Sequence, residues 1–258
     1  MTIEYSAHIS WLFREHPYLE RVARARAAGF RCIETAWPAG EDHDGLAAAV
    51  ERHRMRVALL NADGGDLAAG ERGFLNDPAR IADAERAFLR AAALAGRLGC
   101  PRVHVLLGRA LAGIPERVQR AAVVRALRSC AALAAERGLT IVIEPINELD
   151  SPGYLAPTPH AAAKLIEAVG APQVRLLFDA YHVARAGGDP LAALAPVAAL
   201  VEHVQFADHP GRGAPGSGSL DLRAFRARLE ALGYGGALGL EYDPHGPTEP
   251  TLRFMGDG

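Results

Sequence analysis

The sequence predicts an α/β fold, a closed (β/α)8 barrel, from three observations. The chain has 258 residues, the usual size of one eight-stranded α/β barrel. Eight short apolar runs alternate with longer stretches of helical spacing, as parallel strands joined by crossover helices require. The last four runs each carry an oxygen donor at the carboxyl end: Glu144, Asp179, Gln205 and Glu241. That end of a parallel strand is where α/β folds bind ligands.

Taken in order, residues 3–9 read as the first strand. Residues 17–28 form a helix, with Leu19, Val22, Ala23 and Ala27 near helical spacing and Gly29 as its stop. Residues 31–35 are strand two, 46–53 a short helix and 56–61 strand three. A glycine-rich loop follows, through Gly64-Gly65-Asp66 and Gly70-Glu71-Arg72-Gly73. It is too long for a mere connector and reads as a lid or wall. Asp77-Pro78 resembles an N-cap with proline in the first turn, opening a helix to Leu98 with Ile81, Phe88, Leu89, Ala92 and Ala95 inward.

Residues 102–107 are strand four, and 115–137 a long helix closed by Gly138. Strand five centres on Ile141-Val142-Ile143, a run buried on both faces. Pro145 ends it, because proline lacks an amide N–H and holds Glu144 extended. Thr158-Pro159 caps a helix ending at Gly170, and 174–179 is strand six. Asp189-Pro190 opens another helix, which Pro196 breaks or kinks. Residues 201–207 are strand seven, 220–232 a helix and 237–242 strand eight. The tail, 247–258, is too short for a full eighth helix. It docks over the barrel base or enters homo-oligomer contacts. No linker or internal repeat divides the chain, so 1–258 reads as a single domain.

Half of the residues are hydrophobic, enough for a large core. A formal net charge of −2 gives no reason to expect nucleic acid or an anionic membrane as partner. Cys32, Cys100 and Cys130 are an odd set with no close pair, which suits small core residues in a reducing compartment. The start, Met1-Thr2-Ile3-Glu4-Tyr5, is unlike a signal peptide, and no apolar run approaches the ~20 residues of a membrane span. A soluble, cytoplasmic protein is expected.

In a closed barrel the ends of strands five to eight are neighbours, so Glu144, Asp179, Gln205 and Glu241 converge. Three carboxylates so placed repel one another unless a cation sits among them. Hard oxygen donors with open positions suit Mg2+ or Mn2+. One acid alone serves equally well as a loop or cap carboxylate; four donors after four apolar runs do not. His182, three residues past Asp179, reads either as a structural histidine or as a donor to a substrate oxygen. Arg212 lies in the glycine-rich loop after strand seven, where backbone amides face an anion and the guanidinium clamps a carboxylate. Arg72 is a weaker anion candidate. His8 and Trp11 wall the mouth, and Asp150 is a substrate-binding candidate beside strand five.

These residues carry a resemblance. Ser6-Ala7-His8-Ile9-Ser10, Gly70-Glu71-Arg72-Gly73, Glu144-Pro145-Ile146-Asn147, Pro152-Gly153-Tyr154, Asp179-Ala180-Tyr181-His182, Asp208-His209-Pro210-Gly211-Arg212 and Gly239-Leu240-Glu241-Tyr242 resemble the hydroxypyruvate isomerase family of xylose-isomerase-like TIM barrels. The resemblance spans nearly the whole chain. It implies a divalent metal held by Glu144, Asp179, Gln205 and Glu241, with Glu144 and Glu241 as the proton-transfer pair. It implies an isomerase of a small oxo acid, hydroxypyruvate or a relative such as 2-oxotetronate. Ketose 3-epimerisation and, further off, metal-dependent endonuclease activity are the rival expectations. Leu60 stands where relatives often have histidine, and His8 where asparagine is common. The resemblance puts both at the mouth, so both bear on the substrate rather than on the reaction type.

Overall fold

The computed structural model describes residues 3–256. Met1, Thr2, Asp257 and Gly258, the extremes of the N-terminal reading and of the tail, lie outside them. Eight parallel strands close in sequence order, with β1 (Tyr5–His8) paired to both β2 (Cys32–Thr35) and β8 (Leu238–Leu240). Between them run β3 (Arg56–Asn61), β4 (Arg102–His104), β5 (Thr140–Ile143), β6 (Val174–Asp179) and β7 (Val201–Phe206). Sequential parallel strands demand a crossover at each step, and right-handed crossovers curl the sheet into a ring.

The crossovers are α1 (Glu20–Ala27), α2 (His43–Arg52), α3 (Ile81–Leu98), α4 (Glu116–Ala135), α5 (Pro159–Val169) and α6 (Ala180–Arg185). Then come α7 (Pro190–Leu194) and α8 (Leu222–Ala231). Asp42 caps α2 and starts it three residues before the expected Leu46. The Asp77 carboxylate turns back on the Ala79 amide, so the chain makes a turn and α3 begins at Ile81. Phe88, Ala92 and Ala95 are buried there, but Leu89 lies one step round the helix and is exposed. Helix α6 was not expected; it is short, and Asp179 caps it. At Pro196 helix α7 gives way to a 3-10 turn, Ala195–Leu200. Strand β4 ends at His104, before the expected 107, because Leu107 leaves the ladder to bridge Gly73. Gly73 has φ +84°, and a Cβ there would lie 2.0 Å from the Leu106 carbonyl oxygen, so only glycine lets the loop pack this closely.

Side chains alternate along each strand, which divides the core. The main cluster fills the layer between strands and helices, and Leu60 belongs to it. Leu59, Val142 and Leu177 form a separate small cluster. Since Leu59 takes the inward direction, Leu60 faces the helices, which corrects its expected place at the mouth. The three cysteines are free and buried, and burial pushes their thiols up to about 11 or 12. Among the described residues no helix is long and apolar enough to cross a membrane.

The tail packs along the flank and reaches the amino end of β1, at the base of the barrel. Thr248 is fully buried and accepts the Phe13 amide through Oγ1, while its own amide donates to Glu15 at 2.7 Å. The 3-10 segment Glu249–Gly256 then descends until Phe254 meets the Tyr5 ring edge-on at 5.6 Å. The tail so occupies the place of a helix after β8. Thr248→Ala should orphan the buried Phe13 amide and lower stability by about 1–3 kcal/mol. Equilibrium urea unfolding followed by circular dichroism reads this; an unchanged midpoint contradicts the latch.

Candidate active site

Glu144 directly follows β5, Asp179 ends β6 and Glu241 directly follows β8. Gln205 pairs in register with Asp179 on one side and Gly239 on the other. A chain of contacts joins the three acids. His182 Nε2 lies 3.4 Å from Glu144 Oε1 and 3.8 Å from Asp179 Oδ2. Arg212 Nη2 lies 3.8 Å from Asp179 Oδ2 and 3.2 Å from Glu241 Oε2. His8 Nε2 lies 3.8 Å from Glu241 Oε1. The structure therefore brings Glu144, Asp179, Glu241, His182, Arg212 and His8 to one centre.

Asp179 divides its oxygens between two tasks. Oδ1 accepts the Tyr181 amide at 2.8 Å and caps α6, while Oδ2 is buried without a donor. Arg212 adopts φ +53°, a strained conformation for a non-glycine residue. The loop around it is fixed by Asp208, whose carboxylate accepts the amides of His209, Gly216, Gly218 and Leu220. The glycine-rich loop thus does face its amides to an anion, but that anion is the protein's own Asp208. The guanidinium is stacked over Trp11 at 4.4 Å and Tyr181 at 5.0 Å.

Burial dominates the titration of the site. It raises the Glu144 carboxyl well above its ordinary value, with Glu241 and Asp179 adding repulsion. It pushes Asp179 up to about 7, although Arg212 opposes the rise. His104 and His182 are pushed down to about 3 by burial, so both imidazoles are neutral near pH 7. The tautomer of His182 follows from its neighbours. Asn147 Oδ1 accepts the Asp150 amide, so its NH2 group faces the other way. That group donates to Asp150 Oδ2 at 3.0 Å and to His182 Nδ1 at 2.6 Å. The His182 proton is therefore on Nε2, aimed at the acids.

Asp150 stands one bond behind the centre, its oxygens taken by Asn147 and Arg185. Arg72 donates to the Leu67 and Glu71 carbonyls within its own loop. Four buried residues at the centre carried no role in the sequence reading: Glu34, His104, Asn147 and His203. Glu34 had the same signal as the chosen acids, a carboxylate after an apolar run. His104 Nε2 lies 3.6 Å from Glu144 Oε2.

The donor set fits a hard divalent cation. Glu144 Oε1, Asp179 Oδ2 and Gln205 Oε1 are all buried oxygens without a hydrogen-bond donor. Ligand atoms of Glu144, Asp179 and His182 lie within 4.8 Å of one another. A protonated Nε2 offers no lone pair, so His182 serves better as a donor than as a ligand. Oxygen-rich sites of this kind take Mg2+ or Mn2+.

Comparison with known proteins gives a consistent picture. A family model described as a xylose isomerase-like TIM barrel matches residues 22–257. The hydroxypyruvate isomerase of Escherichia coli K12 is 33% identical, covering 98% of each chain. A 2-oxo-tetronate isomerase of Cupriavidus necator is 35% identical, over 97% of this chain and 96% of its own. A crystal structure from Brucella melitensis, described as AP endonuclease, family 2, superposes with TM-score 0.95 at 31% identity, covering 99% of this chain and 98% of that one.

The raised carboxyls give the site a pH dependence. Their protonated forms are favoured in the ion-free protein, and a cation expels the proton. Isothermal titration with Mn2+ in two buffers of different ionisation enthalpy should show release of about one proton per ion near pH 7, with affinity falling as pH drops below 7. A buffer-independent enthalpy and flat affinity from about pH 6 to 8 would contradict this charge balance.

Proposed function

Because the chain belongs to the xylose isomerase-like TIM barrel family, and is an isomerase of the hydroxypyruvate isomerase kind, we propose that it interconverts hydroxypyruvate and tartronate semialdehyde. The observation that carries this reading is a pair of carboxyl groups, Glu144 and Glu241, on one centre with Asp179, His182 and Arg212 between them. Isomerisation needs a proton taken from one carbon and returned to its neighbour, and two acids in different environments divide that work.

Glu144, Asp179, Gln205 and Glu241 would hold the divalent ion, Mg2+ or Mn2+. When bound, that ion supplies Lewis-acid polarisation of the substrate carbonyl. The chain's residues do the rest. Arg212 holds the substrate carboxylate, the charge its guanidinium matches. Neutral His182 donates from Nε2 to a substrate oxygen. One glutamate removes the proton from the hydroxymethyl carbon, leaving an enediolate. Its counterpart delivers a proton to the carbon that bore the carbonyl, the hydroxyl proton passes to the former carbonyl oxygen, and the aldehyde forms at the other end.

The 35% identity to a 2-oxo-tetronate isomerase supports a second reading, the same chemistry on a four-carbon oxo acid. A net charge of −2 and a centre rich in acids support a small substrate over a nucleic acid.

Proton NMR in deuterated water, with each oxo acid, with Mn2+ and with chelator, tests the reaction. Hydroxypyruvate should convert with deuterium entering at carbon, and chelator should stop conversion. Glu241→Gln should keep its circular dichroism spectrum and lose about 10²–10⁴ of turnover. Faster conversion of 2-oxotetronate moves the substrate to the second reading. Turnover near wild type in Glu241→Gln removes that residue from the mechanism.

A further inference from the structure

Beneath the centre lies a carboxylate that the reaction above does not use. Glu34, on β2, is fully buried. Its Oε2 accepts from Gln205 Nε2 at 2.8 Å, and its Oε1 lies 3.0 Å from His203 Nε2. Both contacts are to β7, across the barrel interior. A third strand makes room for it. Gly239, on β8, pairs with Gln205, and a Cβ at that position would lie 2.3 Å from Glu34 Oε1 and 2.6 Å from Oε2. A carboxylate is costly to bury, and here three strands are shaped around one.

The chemistry of the amide shows what this arrangement does. An ionised carboxylate only accepts hydrogen bonds, and an amide accepts at one end and donates at the other. Facing Glu34, Gln205 must present its NH2 group, which turns its Oε1 elsewhere. That Oε1 is buried without a donor, as are Glu144 Oε1 and Asp179 Oδ2 at the ends of the two preceding strands. Without Glu34 nothing would prevent the amide from rotating half a turn and presenting its NH2 group to a cation. His203 on Oε1 keeps the carboxylate itself from swinging away, and Gly239 leaves it the room.

We propose that Glu34 is a positioning residue that, with Gly239 as its space, fixes the Gln205 amide so that Oε1 faces the cation. This inference rests on the reading of Gln205 as a metal ligand. Second-sphere partners of this kind set the orientation of a ligand, and their loss typically weakens metal binding about 10–100-fold.

The test is a double-mutant cycle on the full chain, read as Mn2+ affinity by isothermal titration calorimetry. Glu34→Gln is nearly isosteric, but its amide can donate as well as accept, so it no longer dictates the orientation of Gln205. It should weaken Mn2+ about 10-fold or more, with the apo melting temperature near wild type. Gln205→Leu should weaken Mn2+ too, and adding Glu34→Gln to it should change nothing further. Gly239→Ala reaches the same place without altering any polar group, and its effect should likewise vanish in the Gln205→Leu background. It serves in place of Glu34→Gln if that variant does not fold. Unchanged affinity in Gln205→Leu overturns the reading of Gln205 as a ligand. Weakened affinity there, with Glu34→Gln either silent or fully additive, overturns the positioning role and leaves the ligand reading standing.

Discussion

Buried negative charge is the constraint on which this structure turns. Glu34, Glu144 and Asp179 are all buried at one end of the barrel, with Glu241 beside them. Unpaired carboxylates in such a place cost several kcal/mol each. Arg212 answers two of them directly. Its backbone takes a left-handed conformation to do so, at roughly 1–2 kcal/mol. That strain is small beside the charge it offsets, and the Asp208 hydrogen bonds hold the loop in place. Burial raises Glu144 and Asp179, which reduces the remaining charge by retaining protons.

The histidines fit the same account. With His104 and His182 pushed down to about 3, they add polar atoms to the site without adding charge. His182 receives a hydrogen bond on one nitrogen and points a proton from the other, a direction set by Asn147 and, behind it, Asp150. Leu59, Val142 and Leu177 form a small buried apolar cluster apart from the main core. The barrel thus gives rigid strand ends to the acids and a low-dielectric setting in which their interactions are strong.

Strand order, most helix boundaries and the strand-end positions of Glu144, Asp179, Gln205 and Glu241 were legible because each rests on local chemistry. Pro145 after Glu144 and Gly170 after α5 act within a few residues of themselves. The errors have one origin. Leu60 and Leu89 are apolar residues in apolar runs, and nothing local says which side of the strand or helix meets the core. Asp179 read as a ligand hid its second task as a cap. Arg72 and Arg212 look alike between their glycines, but one spends its donors on its own loop and the other crosses to the acids.

The sequence by itself determined the closed barrel and the placing of acids at its carboxyl end, since proline, glycine and hydrophobic period act locally. The tertiary structure alone decided how those acids are kept. Glu34 meets Gln205 across a separation of 171 residues, and His203 across 169. Gly239 matters because a side chain from another strand fills its space. Hydrogen-bond direction and buried charge depend on which atoms meet, and for distant strands that is settled when the ring closes.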